Sequence, residues 1–461
     1  MEAAEAFRVL EAAKGFGADF AELYREETRF GSLSLRDRKI ESASAGTEYG
    51  IGVRLLYGTQ VLYGHTSRDD EESLLALVRD LAAARPRQGS GLTLVGPSRV
   101  SRPTGIHPVK FDPSLGDGDV RLELLRTLDS TARTVSERVV QVSAGTTHKV
   151  TEIALWNSEG LHVTDRRTWS RCTIAVVAEQ NGERHTGTEA PGARAGFEFF
   201  QTLDAAGTAR TAAERAVRML DAAPPPAGEM PVILGNGFGG VIFHEACGHP
   251  LETEALRRKA TPFAGKVGQP IAHECVTAID DGTIPNAWGS LEVDDEGTPT
   301  QRTVLIENGI LKNWLSDRVG ATECDVPLTG SARRESYKYA PVSRMRNTFI
   351  AGGNSTLDDM LQSCGDGLYA VRMGGGSVNP ATGEFNFSIE EAYRVKDGRI
   401  GQAVRGATLI GKGHEILPRI RMVGDDFQLA PGTCGASSGM VPVCVGQPTL
   451  LVDPILVGGR S

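Results

Sequence analysis

The chain contains no run of about 18 apolar residues, the length a helix needs to cross a bilayer. It also lacks any dense stretch of lysine or arginine, and its formal net charge is −9. Nucleic-acid binding draws affinity from clustered basic side chains that release counterions, so a polyanion partner is not expected. The seven cysteines are odd in number, widely spaced and without a CxxC pair. That argues against a disulfide framework and for reduced thiols, some of which could serve a metal. The acidic start Met1-Glu2-Ala3-Ala4-Glu5 leads into an amphipathic segment and does not read as a secretory signal, so a cytoplasmic location is expected.

With 461 residues, 40% of them hydrophobic, the sequence can fill two cores. Residues Glu2 to Lys14 have helical periodicity and stop at Gly15. Short strand-like pieces follow, at Phe20 to Arg25, Gly31 to Leu35, Ile40 to Ala45, Ile51 to Leu56 and Gln60 to Tyr63. A helix is expected over Ser67 to Ala84 with Ser67 as its cap, then a proline-rich connector from Arg85 to Gly118. Asp119 caps another predicted helix to about Arg133. Strands at Arg138 to Ser143, Lys149 to Trp156, Leu161 to Thr168 and Cys172 to Glu179 come next, with Asn157 to Gly160 as a hairpin turn. The succession of helix, meander and helix therefore occurs twice. A long helix from Phe199 to Ala222 ends at Pro224-Pro225-Pro226, a stiff spacer. The expected division is an N-terminal α/β domain over residues 1–223 and a second domain over 229–461. In the second, only the segment around His244 and Leu357 to Cys364 look helical, and Asn308-Gly309 and Asp397-Gly398 signal hairpins, so it should be mainly antiparallel β.

The densest chemistry lies in His244-Glu245-Ala246-Cys247-Gly248-His249-Pro250. A histidine pair at i, i+4 with glutamate after the first is the zincin pattern: the imidazoles hold a metal and the glutamate activates water. Here the spacing is i, i+5, which on an ideal helix would set the histidines about 140° apart, too far to share an ion. Either a π-bulge or a helix end at Gly248 and Pro250 must make the backbone irregular between Ala246 and Pro250. The chain supplies its own controls, because His273-Glu274 and His414-Glu415 have no second histidine nearby and read as ordinary residues. Gly235-Asn236-Gly237-Phe238-Gly239-Gly240 fits GxGxxG, but no βαβ unit follows, so close backbone approach explains the glycines better than dinucleotide binding. A catalytic zinc takes three protein ligands. By spacing the third could be Cys247, Glu252 or Glu254; Cys434 lies in a glycine-flanked stretch expected to form a turn that could present a thiolate, but by spacing it is merely one cysteine of seven.

These motifs, with Asp280-Asp281-Gly282-Thr283, Asp294-Asp295-Glu296-Gly297-Thr298-Pro299, Ile306-Glu307-Asn308-Gly309, Gly330 to Tyr337, Gly406 to Gly411 and Pro442 to Leu450, resemble the TldD/PmbA family of metallopeptidases, TldD type. The resemblance spans the chain and is dense after about residue 230. It implies an α+β protein: a mixed α/β N-terminal domain, and a mainly antiparallel, β-barrel-like C-terminal domain carrying the HExxxH helix. It further implies one Zn2+ held by His244, His249 and Cys434, with Cys247 a bystander and Glu245 as general base for the attacking water. Unfolded or extended peptides are the implied substrates, cut by a homodimer or by a heterodimer with a PmbA/TldE-type subunit. Arg333 and Arg334 fall in a family motif and are the candidate substrate contacts. The rival expectation is a catalytically silent peptide-binding subunit, which would be free to lose the histidines and Cys434.

Overall fold

The computed structural model describes residues 1–85, 105–379 and 382–459. After a helix at Ala3–Gly15 come β1 (Phe20–Arg36), β2 (Lys39–Tyr57) and β3 (Gln60–Thr66), and a helix at Glu71–Ala83 closes the unit. A second unit repeats the plan: a helix at Gly118–Val135, then β4 (Val139–Asn157), β5 (His162–Gln180) and β6 (Glu183–Glu189), then a helix at Ala205–Leu220. The strands lie in the order β3-β2-β1-β4-β5-β6, so two meanders join through their first strands. Each unit buries its own helices: Val9, Leu10, Leu74 and Val78 pack with Leu23 and Val53, while Leu125, Leu128, Ala209 and Ala213 pack with Val142 and Ile174.

Several expected boundaries move, each for a local reason. The short strand pieces fuse into strands of 17 to 19 residues, because β1 and β2 pair from Phe20↔Leu56 out to Arg36↔Lys39. Residues 39–45 are exposed on both faces of that hairpin, so no alternation marks them as strand. The helix expected from Ser67 starts at Glu71, where the Asp70 carboxylate accepts from the Ser73 N–H at 2.8 Å. The next begins at Gly118 and is capped by Asp117, not Asp119. The long helix expected from Phe199 is two, Glu198–Thr202 and Ala205–Leu220, because Asp204 caps a new start at Gly207 N–H. Of the proline-rich connector, residues 86–104 lie outside the described residues; the rest holds a 3-10 turn at Pro113–Leu115.

Beyond Gly228 the chain closes a five-stranded barrel from Gly228–Leu234, Gly367–Val378, Glu384–Lys396, Ala407–Lys412 and Leu450–Gly459. A six-stranded sheet lies beside it, and its last two strands are Gly439–Gln447 and the terminal strand Gln428–Ala436. Only two strand pairs here are parallel among the described residues, Gly228–Leu234 with Gly367–Val378 and Asn347–Ile350 with Gly439–Gln447. The β-barrel expectation therefore holds. Asn308-Gly309 and Asp397-Gly398 take positive φ at both positions, as a two-residue hairpin turn demands. Three short helices escaped the sequence reading, at Thr253–Arg257, Arg318–Cys324 and Gly413–Ile416; four to seven residues are too few to show periodicity. The segment around His244 fills the barrel, with Ile242, Phe243, Ala246 and Cys247 among Leu234, Leu368, Phe385 and Val452.

The N-terminal sheet is tied to the rest by buried ions. Arg334 Nη2 lies 2.5 Å from Glu22 Oε1, Arg54 bridges Glu22 and Glu296 at 2.7 and 2.6 Å, and Arg167 meets Asp295 at 2.5 Å. All six side chains are at most 5% exposed. Removing one partner leaves the others desolvated without compensation. Arg334→Leu is accordingly expected to lower the free energy of unfolding by about 3–5 kcal/mol in chemical denaturation; a loss under about 1 kcal/mol would show that the network is dispensable.

Candidate metal centre

Gly237–Gly240 forms a 3-10 turn that delivers the chain into Val241–Phe243, one α turn. A β-carbon on Gly240 would sit 2.6 Å from the Gly446 backbone, so glycine is what lets this segment lie against the strand Gly439–Gln447. His244–Gly248 is then a π-helical turn, and His249–Leu251 a 3-10 turn that Pro250 permits. The wider π turn brings residues five apart onto one side. The rings of His244 and His249 meet edge to face with centroids 5.2 Å apart.

The third group arrives from far along the chain. Cys434 Sγ lies 3.2 Å from His249 Nε2. The donor atoms of His244, His249 and Cys434 all fall within 4.8 Å of one another, the only such group of three among the described residues. Cys434 sits within the strand Gln428–Ala436, paired with Val441, and not in the turn its flanking glycines suggest; the turn falls at Ser437 and Ser438. Buried Arg344 fixes that hairpin, donating from Nη2 to the Cys434 carbonyl at 2.7 Å and from Nη1 to Ser438 Oγ and the Gly439 carbonyl. Burial pushes the Cys434 thiol up, but His244 and His249 outweigh it and bring it down to about 3. Burial works against a charged His249 as well, yet Glu252 and Cys434 hold its pKa well above the ordinary value.

The spacing-based candidates point elsewhere. Glu252 stands behind His249, its Oε2 2.9 Å from Nδ1 and its Oε1 accepting from the Met345 N–H. Glu254 pairs with Arg257 and Arg258. Cys247 is buried among Ile242, Phe243 and Ile416, and burial raises its thiol. Glu245 is the open member of the cluster: its Oε2 lies 3.7 Å from His249 Nε2, and it lines a cavity of about 240 Å3 with His244, Phe238, Thr433 and Arg171. A larger cavity of about 600 Å3 shares Arg171, Phe238 and Pro431 with it. Arg333 and Arg334 are not brought here. Arg333 donates to the Met345 carbonyl, and Arg334 belongs to the buried network with Glu22 and Asp295. Of the control pairs, His273 contacts Cys275 and His414 its neighbour Glu415.

Sequence reasoning missed Arg344 and Arg171, and considered Glu252 only as a ligand. Nothing in a lone arginine announces its distant partners; only the alternation of Trp169 and Arg171 puts both on one face of β5.

Three family models match the chain: "PmbA/TldA metallopeptidase domain 1" over residues 21–85, the "central domain" over 117–220 and the "C-terminal domain" over 227–459. A protein named "Metalloprotease TldD homolog" from Haemophilus influenzae is 38% identical over 456 residues, 96% of this chain and 93% of that one. One named "Metalloprotease" from Methanothermobacter thermautotrophicus is 30% identical over 443 residues, 96% of each. Among solved structures, TldE from Thermococcus kodakarensis superposes with a TM-score of 0.79 at 20% identity, covering 99% of this chain and 100% of that one, a likeness of fold.

The two buried thiols should behave differently. Cys434→Ser is expected to lose the metal the protein carries as purified, and Cys247→Ser to keep it, by elemental analysis; loss with Cys247→Ser alone would refute the placement.

Proposed function

The chain belongs to the PmbA/TldD family of metallopeptidases, and from that premise we propose that it hydrolyses amide bonds of extended peptides at His244, His249 and Cys434, with Glu245 as general base. The observation that carries the reading is a thiol 185 residues beyond His249 arriving within 3.2 Å of its ring nitrogen. A cation suits this donor set. Nitrogen and sulfur atoms sharing a tetrahedral zinc lie about 3.3–3.8 Å apart, close to the separation here. Nδ1 of His244 is moreover buried without a hydrogen-bond partner among the described residues. Two imidazoles and a thiolate favour zinc over the oxygen-seeking cations.

Such an ion supplies Lewis acidity toward the scissile carbonyl and toward water. The protein does the rest. Glu252 fixes the tautomer of His249 by taking the Nδ1 hydrogen, which leaves Nε2 free as a donor atom. Glu245, reaching into the cavity, accepts a proton from the attacking water at its carboxylate and returns it to the leaving amine. Among the described residues the terminal strand Gln428–Ala436 has one unpaired edge in its sheet, and it lines both cavities through Pro431. An extended peptide can add to that edge by backbone hydrogen bonds, which favours unfolded substrates of varied sequence.

The proposal includes a division at the Pro224 to Pro226 spacer, with the N-terminal part completing the substrate chamber, and assembly with a second copy or a TldE-type subunit. A cytoplasmic setting suits seven unpaired cysteines. Glu245→Gln is expected to lower cleavage of an unstructured peptide by about 10²–10⁴-fold while metal content stays at the parent level. Full activity in that variant would remove Glu245 from the mechanism.

A further inference from the structure

Arg171 lines both cavities and, unlike their other arginines, has no carboxylate partner among the described residues. Arg215 pairs with Glu189 and Glu391, and Arg372 with Glu189 and Glu390. The Nε of Arg171 is buried and makes no hydrogen bond among the described residues. Its guanidinium carbon lies 5.3 Å from the centroid of the Trp288 ring. That ring is itself fixed: Nε1–H donates to the Gly432 carbonyl at 2.8 Å, and the Trp288 carbonyl accepts from Trp169 Nε1 at 3.0 Å. Across the strand pair stands Gly192, where a β-carbon would come 3.0 Å from the Trp288 ring and 3.2 Å from Arg171 Cγ, so the absence of a side chain makes room for the stack.

A guanidinium stacked on an indole keeps its in-plane N–H groups available to an acceptor, and the geometry matches a carboxylate. A partly desolvated charge without a counterion is costly. An anion entering the cavity would offset that cost. Glu245 lines the same cavity and repels anions, so an entering carboxylate is favoured at Arg171 over the general base. We propose that Arg171 binds a carboxylate of the substrate, so that the site prefers peptides carrying an acidic group near the scissile bond. The proposal rests on the peptidase reading above and assigns it a specificity residue. The carboxylate has two possible sources, an Asp or Glu side chain or the peptide's own C-terminus, and both offer the same planar acceptor.

Three kinds of fluorescently labelled peptide, of one length and built on one neutral sequence, separate these: C-terminally amidated, with a free C-terminus, and an amidated series with one glutamate scanned along it. Binding is read by anisotropy on the full zinc-loaded chain carrying Glu245→Gln, which suppresses turnover. At least one carboxylate peptide is expected to bind about ten-fold more tightly than the neutral one. Adding Arg171→Gln should bring that ratio close to one, and Arg171→Lys, which keeps the charge but loses the planar fork, should recover only part of it. Equal binding of all three, binding of none, or a preference that survives Arg171→Gln overturns the proposal. Cleavage by the chain with Glu245 intact is measured in parallel. A carboxylate preference without any cleavage sinks the peptidase reading alone, and cleavage without preference sinks the Arg171 assignment alone. Preference for the free C-terminus points to trimming from the chain end, and preference for glutamate to internal acidic sites.

Discussion

Everything at this centre depends on one irregular turn. Five residues of π-helix at His244–Gly248 turn an i, i+5 histidine pair from neighbours on different sides of a helix into two rings in edge contact. A π turn is less favourable than an α turn and persists where packing imposes it. Here the packing is visible: Ile242, Phe243, Ala246 and Cys247 belong to the core cluster shared with the barrel strands, while Glu245 stays the open member beside the buried His244 and the largely buried His249. The neighbouring thiol is spent on packing, which is why the nearest cysteine in sequence is not the one that meets the imidazoles.

The second requirement is delivery of Cys434. Its strand is the terminal one of its sheet, and such an edge is held only on one side. Arg344 supplies the missing restraint, with three donor contacts around the hairpin end. Arg344 follows closely on Arg334, which is locked to Glu22 of β1, so the N-terminal sheet and the hairpin are braced by one short stretch of chain.

Much of this was legible in the sequence. The extra residue between the histidines already required a distorted helix, and Asn-Gly and Asp-Gly pairs marked their hairpins because few other dipeptides tolerate two positive φ values. The repeated helix, meander and helix could be read because each unit buries a face of its own. Strand lengths could not, since residues 39–45 are exposed on both faces and carry no alternation. Helix starts moved toward Asp70, Asp117 and Asp204 because several residues could cap and only the fold selects one. Cys434 came from a family resemblance and not from spacing, and Arg171 from neither. Its meaning lies in Trp288 and in the absence of a carboxylate, both of which are properties of the folded chain.

The central claim is that two imidazoles and a remote thiolate share one ion. X-ray absorption at the zinc edge of the metal-loaded protein reads this directly. The account predicts one sulfur at about 2.3 Å and two imidazole nitrogens at about 2.0–2.1 Å, with no sulfur shell in Cys434→Ser reloaded with excess zinc. A shell of nitrogen and oxygen alone, or a sulfur shell that survives Cys434→Ser, would contradict it.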